Sequence, residues 1–287
     1  MTAAAALALG AAVLFGFGLV LTQRGLATMT PVAGAAVSMP AAAVLFWAAA
    51  PLRFDPSAWD FTAAAIFAGV GVLYPAIATL LTFVANRRMG PGVAGALGNL
   101  APLFAVGLAV VTLGEIPGAG QAAGILAIVI GVGLISLGAP GAVRAWPVWA
   151  LALPLAAAAI RGGVQPAVKA GLALWPSPFA AVLLGYTVSA TVALLAALTL
   201  RRDGRRFTRA GAGWFALVGL CNGLAVLGLY AALDRGPVSL VSPLVATYPL
   251  VTLALGAALL GLRPHAREGA GIALTVGGGA LLLIRAG

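Results

Sequence analysis

The sequence predicts an all-α integral membrane protein with ten transmembrane helices, laid out as two inverted five-helix repeats. Three observations carry that expectation. The 287 residues are 62% hydrophobic and only 8% charged, with a mean hydropathy of +1.11, whereas soluble domains carry about 25% charged residues. Ten apolar runs each reach the length of about 20 residues that a helix needs to cross a bilayer. The second half also repeats the first. Pro102 to Pro249, Gly114 to Gly261, Gln121 to Glu268, Gly124 to Gly271 and Gly131 to Gly278 are each 147 residues apart, and Pro91 to Pro237 is 146. A period of about half the chain, kept through helix breakers and glycines, marks a duplicated unit. Five spans is an odd number, so the two units must run through the membrane in opposite senses.

The runs fall near 3–22, 31–52, 61–85, 91–113 and 117–138 in the first unit, and near 147–168, 178–200, 210–232, 237–261 and 268–284 in the second. The midpoint lies around Pro140–Arg144, which gives units of 1–140 and 145–287. Met1-Thr2-Ala3 runs straight into apolar sequence without a basic leader or a small-residue cleavage site, so 3–22 reads as a first span. Spans four and five are hinged at the tight Gly114-Glu115-Ile116-Pro117 connection. Heavy use of Ala and Gly suits helices that pack closely through small residues. The six tryptophans (Trp47, Trp59, Trp146, Trp149, Trp175 and Trp214) all fall near expected helix ends, as an interfacial belt requires.

Nearly all the charge lies in the breaks: Arg24, Arg53, Arg87, Arg88, Arg144, Lys169, the cluster Arg201 to Arg209, Arg235, Arg263 and Arg267, with Asp55, Asp60, Glu115, Asp234 and Glu268. The net charge of +10 forms no basic stripe interleaved with aromatics. That excludes nucleic acid as the natural partner and favours anionic lipid headgroups. Eleven arginines fall in the breaks after spans 1, 3, 5, 7 and 9, against four basic residues on the other face. The positive-inside rule therefore puts both termini outside the cytoplasm. Cys221, the only cysteine, sits in an apolar run as a small buried thiol and excludes an internal disulfide.

One charge lies deep in a span. Arg161, in LALPLAAAAIRGGVQPAVKAG, would cost about 2.5–3.5 kcal/mol at mid-membrane on insertion scales. It persists there only against a wet cavity or a partner. Either it binds an anion or a carboxylate along a translocation path, or it snorkels and bonds carbonyls to hold its own helix. Gln165 shares its helix face, and Gly162, Gly163 and Pro166 let the backbone bend nearby. Tyr74, Asn99, Tyr186, Asn222 and Tyr248 are the other polar groups near span midpoints. Any one of them could be an interhelical hydrogen bond worth about 0.6 kcal/mol; as a set at one depth they read as a cavity lining. Glu115 and Asp234 lie at span ends and Glu268 only begins the tenth, so no Asp or Glu lies deep in a span, where a proton-coupled exporter of cations would need one. HExxH, GxSxG and a Lys-bearing phosphate loop are all absent and His265 is alone, so no metal, cofactor, ATP or hydrolytic chemistry is expected and an enzyme is a poor reading.

Gly90-Pro91, Asn99-Leu-Ala-Pro102, Leu113-Gly114-Glu115, Gln121-Ala-Ala-Gly124 and Gly131-Val-Gly133 resemble the EamA-type repeat of the drug/metabolite transporter superfamily. The second copy is similar at Gly236-Pro237, Pro249, Leu260-Gly261 and Gly271, but Leu262 stands where the Leu-Gly-Glu motif places its acid. Phe15-Gly16 and Arg161-Gly162 are weak versions of the family's Trp-Gly opening. The resemblance covers the whole chain and implies a bundle in which spans 1–4 and 6–9 enclose a cavity, with spans 5 and 10 outside. It implies cytoplasmic termini, against the charge count. It also implies that spans 1, 3, 4, 6, 8 and 9 face the cavity. That selects Tyr74, Asn99, Arg161, Gln165, Asn222 and Tyr248 as substrate-binding candidates and sets Tyr186 aside. Glu115 would brace the hinge between spans 4 and 5. The expectation is a secondary transporter of a bacterial inner membrane, exporting small metabolites such as amino acids or organic anions by alternating access. It would act as a monomer or weak homodimer without nucleic acid. The competing expectations are a multidrug or cation exporter, and a non-transporting membrane module on the same scaffold.

Overall fold

The computed structural model describes residues 2–138, 147–199, 207–260 and 266–286. The expected junction between units, Trp146, Arg144, Arg201 to Arg206, Leu262, Arg263 and His265 lie outside the described residues. Helices follow one another almost without interruption: α1 Thr2–Leu26, α2 Pro31–Arg53, α3 Phe61–Gly71, α4 Ala78–Gly98, α5 Ala101–Leu113, α6 Ala119–Gly138, α7 Ala152–Leu174, α8 Pro178–Thr199, α9 Arg209–Arg235, α10 Val238–Val245, α11 Tyr248–Leu260 and α12 Ala266–Ala286. Among the described residues, ten stretches are long and apolar enough to span a membrane, and none is a β-strand. Caps set several starts. Thr30 Oγ1 accepts from Ala33 N at the head of α2, Asp60 from Ala63 N at α3 and Thr208 from Gly211 N at α9, each satisfying an N–H that the helix cannot.

Three spans are not single straight helices. Span three breaks at a π-helical stretch, Val72–Ile77, where Tyr74 leaves helical geometry (φ −139°, ψ 129°) ahead of Pro75. Pro75 has no N–H for the Gly71 carbonyl, and Ser189 Oγ of α8 donates to it instead at 2.5 Å. Spans four and nine kink at matching places. Asn99-Leu100 precedes Pro102 and Ala246-Thr247 precedes Pro249, with ψ near zero at Asn99, Leu100 and Ala246. Pro102 and Pro249 cannot donate to the carbonyls four residues back, so neither helix runs straight. The stretch α4 also turns back on itself. A straight helix would separate Thr82 from Gly98 by about 24 Å, yet both lie against the Arg161 guanidinium.

Glycine contacts display the inversion directly. A Cβ on Gly124 would sit 2.9 Å from Gly278 O, and one on Gly131 would sit 2.6 Å from Gly271 O. The numbers rise on α6 as they fall on α12, so these twin helices cross antiparallel with their backbones touching. The 147-residue shift turns each of these contacts into the other. The same holds elsewhere at a shift of 146. A Cβ on Gly16 would meet Val251 Cβ at 2.6 Å, and one on Gly162 would meet Ala105 N at 2.7 Å. Span one thus packs on span nine as span six packs on span four. The helices α6 and α12 pair with each other, and none of their described residues lines the central cavity.

The tryptophan belt is only partly lipid-facing. Trp47 and Trp149 are exposed, but Trp175 is 3% exposed, packed 5.4 Å from Trp59 and 5.9 Å from Phe54. It staples the turn after span six to the turn after span two. At the opposite face Arg24 lies over Trp214 at 5.6 Å and Arg88 over Trp149 at 4.7 Å, cation–π pairs suited to the headgroup layer.

Candidate functional site

A cavity of about 200 Å³ lies between the two repeats, lined from spans 1, 3, 4, 6, 7, 8 and 9. All six sequence-selected residues border it: Tyr74, Asn99, Arg161, Gln165, Asn222 and Tyr248. Span six brings Arg161 there because Gly162 lets α7 lie against the backbone of α5. The guanidinium donates through Nη2 to Thr82 Oγ1, and Thr82 in turn donates to Ala78 O at 2.7 Å. Among the described residues no carboxylate pairs with Arg161, and no Asp or Glu lines the cavity. The site therefore presents one positive charge without a counterion.

The other candidates divide by how their hydrogen bonds are used. Asn99 is buried at the kink of span four, donating to Ser136 Oγ at 2.8 Å and accepting from Tyr248 OH at 3.0 Å. Asn99 and Tyr248 thus join the two matching kinks across the repeat interface. Asn222 lies against α1, where a Cβ on Gly18 would overlap its Oδ1. Gln165 donates through Nε2 to Arg161 O at 3.2 Å, leaving its Oε1 buried and without a partner. Tyr186 OH and Ser242 Oγ are likewise buried and unpaired, and both residues border the cavity.

Tyr186 corrects one expectation. The resemblance sets span seven aside, but the break in span three lets α8 approach, with Gly185 against Gly71, and that carries Tyr186 to the cavity. Thr82 and Ser242 escaped sequence reasoning altogether. Thr82 lies toward the far end of its span, and Ser242 stands beside Pro243 in a run that reads as apolar packing.

Glu115 corrects another expectation. Its carboxylate leaves its own hinge and reaches the second repeat, where Oε2 accepts from Val238 N at 2.7 Å and Oε1 pairs with Lys169 Nζ at 2.8 Å. Lys169 also donates to Gly236 O at 2.6 Å. An anion at the first turn of α10 is favoured by the helix dipole and by its free N–H groups. Lys169 lies one turn beyond Gln165, and Val238 one turn before Ser242, so this contact closes the bundle one turn from the cavity wall, on the face bearing the termini. In the other direction the lining reaches Thr22 and Thr82, late in spans one and three.

Ten spans, an antiparallel pairing of twin helices and a cavity at the repeat interface that holds Arg161 among other polar side chains define an inverted-repeat membrane transporter. A sequence profile of the EamA-like transporter family matches residues 2–137 and again residues 148–284. The chain belongs to the EamA-like transporter family. A solved crystal structure is similar in fold, with a TM-score of 0.82 and 22% identity over 100% of this chain and 98% of that one. No match was found among curated proteins.

Proposed function

We propose that this transporter carries small metabolites bearing a carboxylate or a comparable anionic group, such as organic anions or amino acids. It would export them across a bacterial inner membrane by alternating access, as a monomer or weak homodimer, with lipid and substrate as its only partners. The observation that carries the substrate charge is Arg161, a cavity guanidinium with no acidic partner among the described residues. An unpaired charge at membrane depth is costly, and a substrate anion supplies the missing counterion. The units 1–140 and 145–287 would rock about the cavity, breaking the Glu115–Lys169 contact when the terminal face opens. The lack of a cavity carboxylate among the described residues speaks against a proton-coupled cation exporter and for uniport or exchange. A cavity at the repeat interface that Arg161 and Asn222 border supports a carrier over a sealed, non-transporting module.

The test is uptake of labelled amino and organic acids into proteoliposomes holding the wild-type protein or Arg161→Ala. Loss of the charge-assisted contact should weaken anionic substrates by at least about tenfold. Equal affinity and rate in the two proteins would remove Arg161 from the site.

A further inference from the structure

Resting on the reading of Arg161 as an anion site, we propose that the cavity selects a carboxylate carrying a neutral hydrogen-bonding group, a hydroxycarboxylate, over one carrying an ammonium. Three cavity residues each bury a polar atom without a partner: Gln165 Oε1, Tyr186 OH and Ser242 Oγ. Their residues are 6%, 3% and 2% exposed. Buried polar groups are almost always satisfied, and an unpaired one weakens a fold unless something else completes it. Three on one cavity, in a chain that could have placed Leu, Phe and Ala there, point to a ligand that completes them.

The chemistry of the three atoms narrows that ligand. The Gln165 oxygen can only accept; the Tyr186 and Ser242 hydroxyls donate or accept as needed. A substrate hydroxyl, itself donor and acceptor, fits any of them. An ammonium fits badly, because among the described residues the lining holds no carboxylate to neutralise it, and it already holds the positive Arg161 guanidinium. Gln165 follows Arg161 by one helical turn, so the two Cβ atoms lie about 5–6 Å apart on one helix face, and both residues border the cavity. A carboxylate on Arg161 with a hydroxyl on a nearby carbon is of a size to engage both residues. Phe15, Leu19, Leu229 and Val245 supply the apolar remainder of the wall.

The test uses three compounds on one skeleton: 4-methylpentanoate, its 2-hydroxy derivative and leucine. Binding to the purified full-length protein is measured for wild type, Tyr186→Phe and Ser242→Ala, with thermal unfolding of each. The hydroxy acid should bind about tenfold tighter than either of the others, the gain expected when a buried polar group finds its partner. At least one variant should lose most of that gain while binding 4-methylpentanoate as wild type does. Both variants should unfold no earlier than wild type, since each removes an unpaired buried oxygen. If none of the three compounds binds, the anion-site reading fails and this inference falls with it. If carboxylates bind but leucine matches the hydroxy acid, or both variants keep the hydroxyl preference intact, the anion site stands and the selection proposed here does not.

Discussion

At the residue scale, the pairing of Arg161 with Thr82 decides how the site is presented. The guanidinium is long and flexible, and a single hydroxyl from the opposite repeat fixes its direction. Thr82 gives its own proton to Ala78 O, so its oxygen is free to accept from the arginine. Thr82→Val keeps the shape and deletes that oxygen. Anionic substrates should then bind about three- to tenfold more weakly, the net worth of one ordinary hydrogen bond, while helix content and Tm stay near wild type. Transport kinetics of the variant check this. A Tm lowered by several degrees would instead mark Thr82 as a structural brace. Arg161 was legible in the sequence because a charge inside an apolar run stands out against its surroundings. Thr82 was not, since a threonine bonded to its own helix is ordinary in any membrane span and gains meaning only when another chain segment meets it. Tyr186 was visible as a polar midpoint residue, and only the bend of span three revealed where it points.

At the element scale, glycines in register set the distances between helices. The α6–α12 crossing brings backbone against backbone at two twin contacts, with Thr275 Oγ1 also beside Gly131. Gly131→Val would drive a branched side chain into the Gly271 carbonyl. The helices must then move apart and lose the close packing that holds transmembrane pairs together. A loss of about 1–3 kcal/mol is expected, as for overpacked cores, read as a lower Tm of the purified protein, whereas Gly133→Val, which meets open space, should leave Tm unchanged. The spans and their duplication were readable because hydropathy and the spacing of Pro and Gly are sequence properties. The break at Val72–Ile77 was harder to see. One proline within a span gives little sign of whether a helix bends around it or opens, and here Ser189 of a distant helix helps settle the matter. Nor did the sequence show that Glu115 crosses to α10, because its own hinge offers nearer partners.

At the scale of the whole molecule, the two repeats share a backbone plan but not a chemistry. Among the cavity residues are twin pairs 146 or 147 residues apart: Phe15 with Arg161, Leu19 with Gln165, Pro75 with Asn222, Thr82 with Leu229, Asn99 with Ala246, Ala101 with Tyr248 and Gly98 with Val245. All but the last join one polar residue to one apolar residue. The backbone symmetry is kept in the glycines and prolines, while the site is polar on one side of those six pairs. The closing contact shares this asymmetry, since the acid of the first hinge has no counterpart where Leu262 stands. If the halves rock, the face bearing the termini opens only when Glu115 releases both Lys169 and the first turn of α10. Glu115→Gln keeps the size of the side chain and removes the charge. With the partners 27% and 16% exposed, the loss is discounted for solvent to about 1–2 kcal/mol, a five- to thirtyfold shift toward the open state. Ser239, buried next to Val238 at that contact, can report the opening as a cysteine in a Cys221→Ala background. Its alkylation in detergent, where both faces meet the reagent, should quicken by about that factor when Glu115→Gln is added. Labelling at the unchanged rate, with Tm lowered, would make the contact a brace of the fold and leave the closing of that face to the aromatic staple around Trp175.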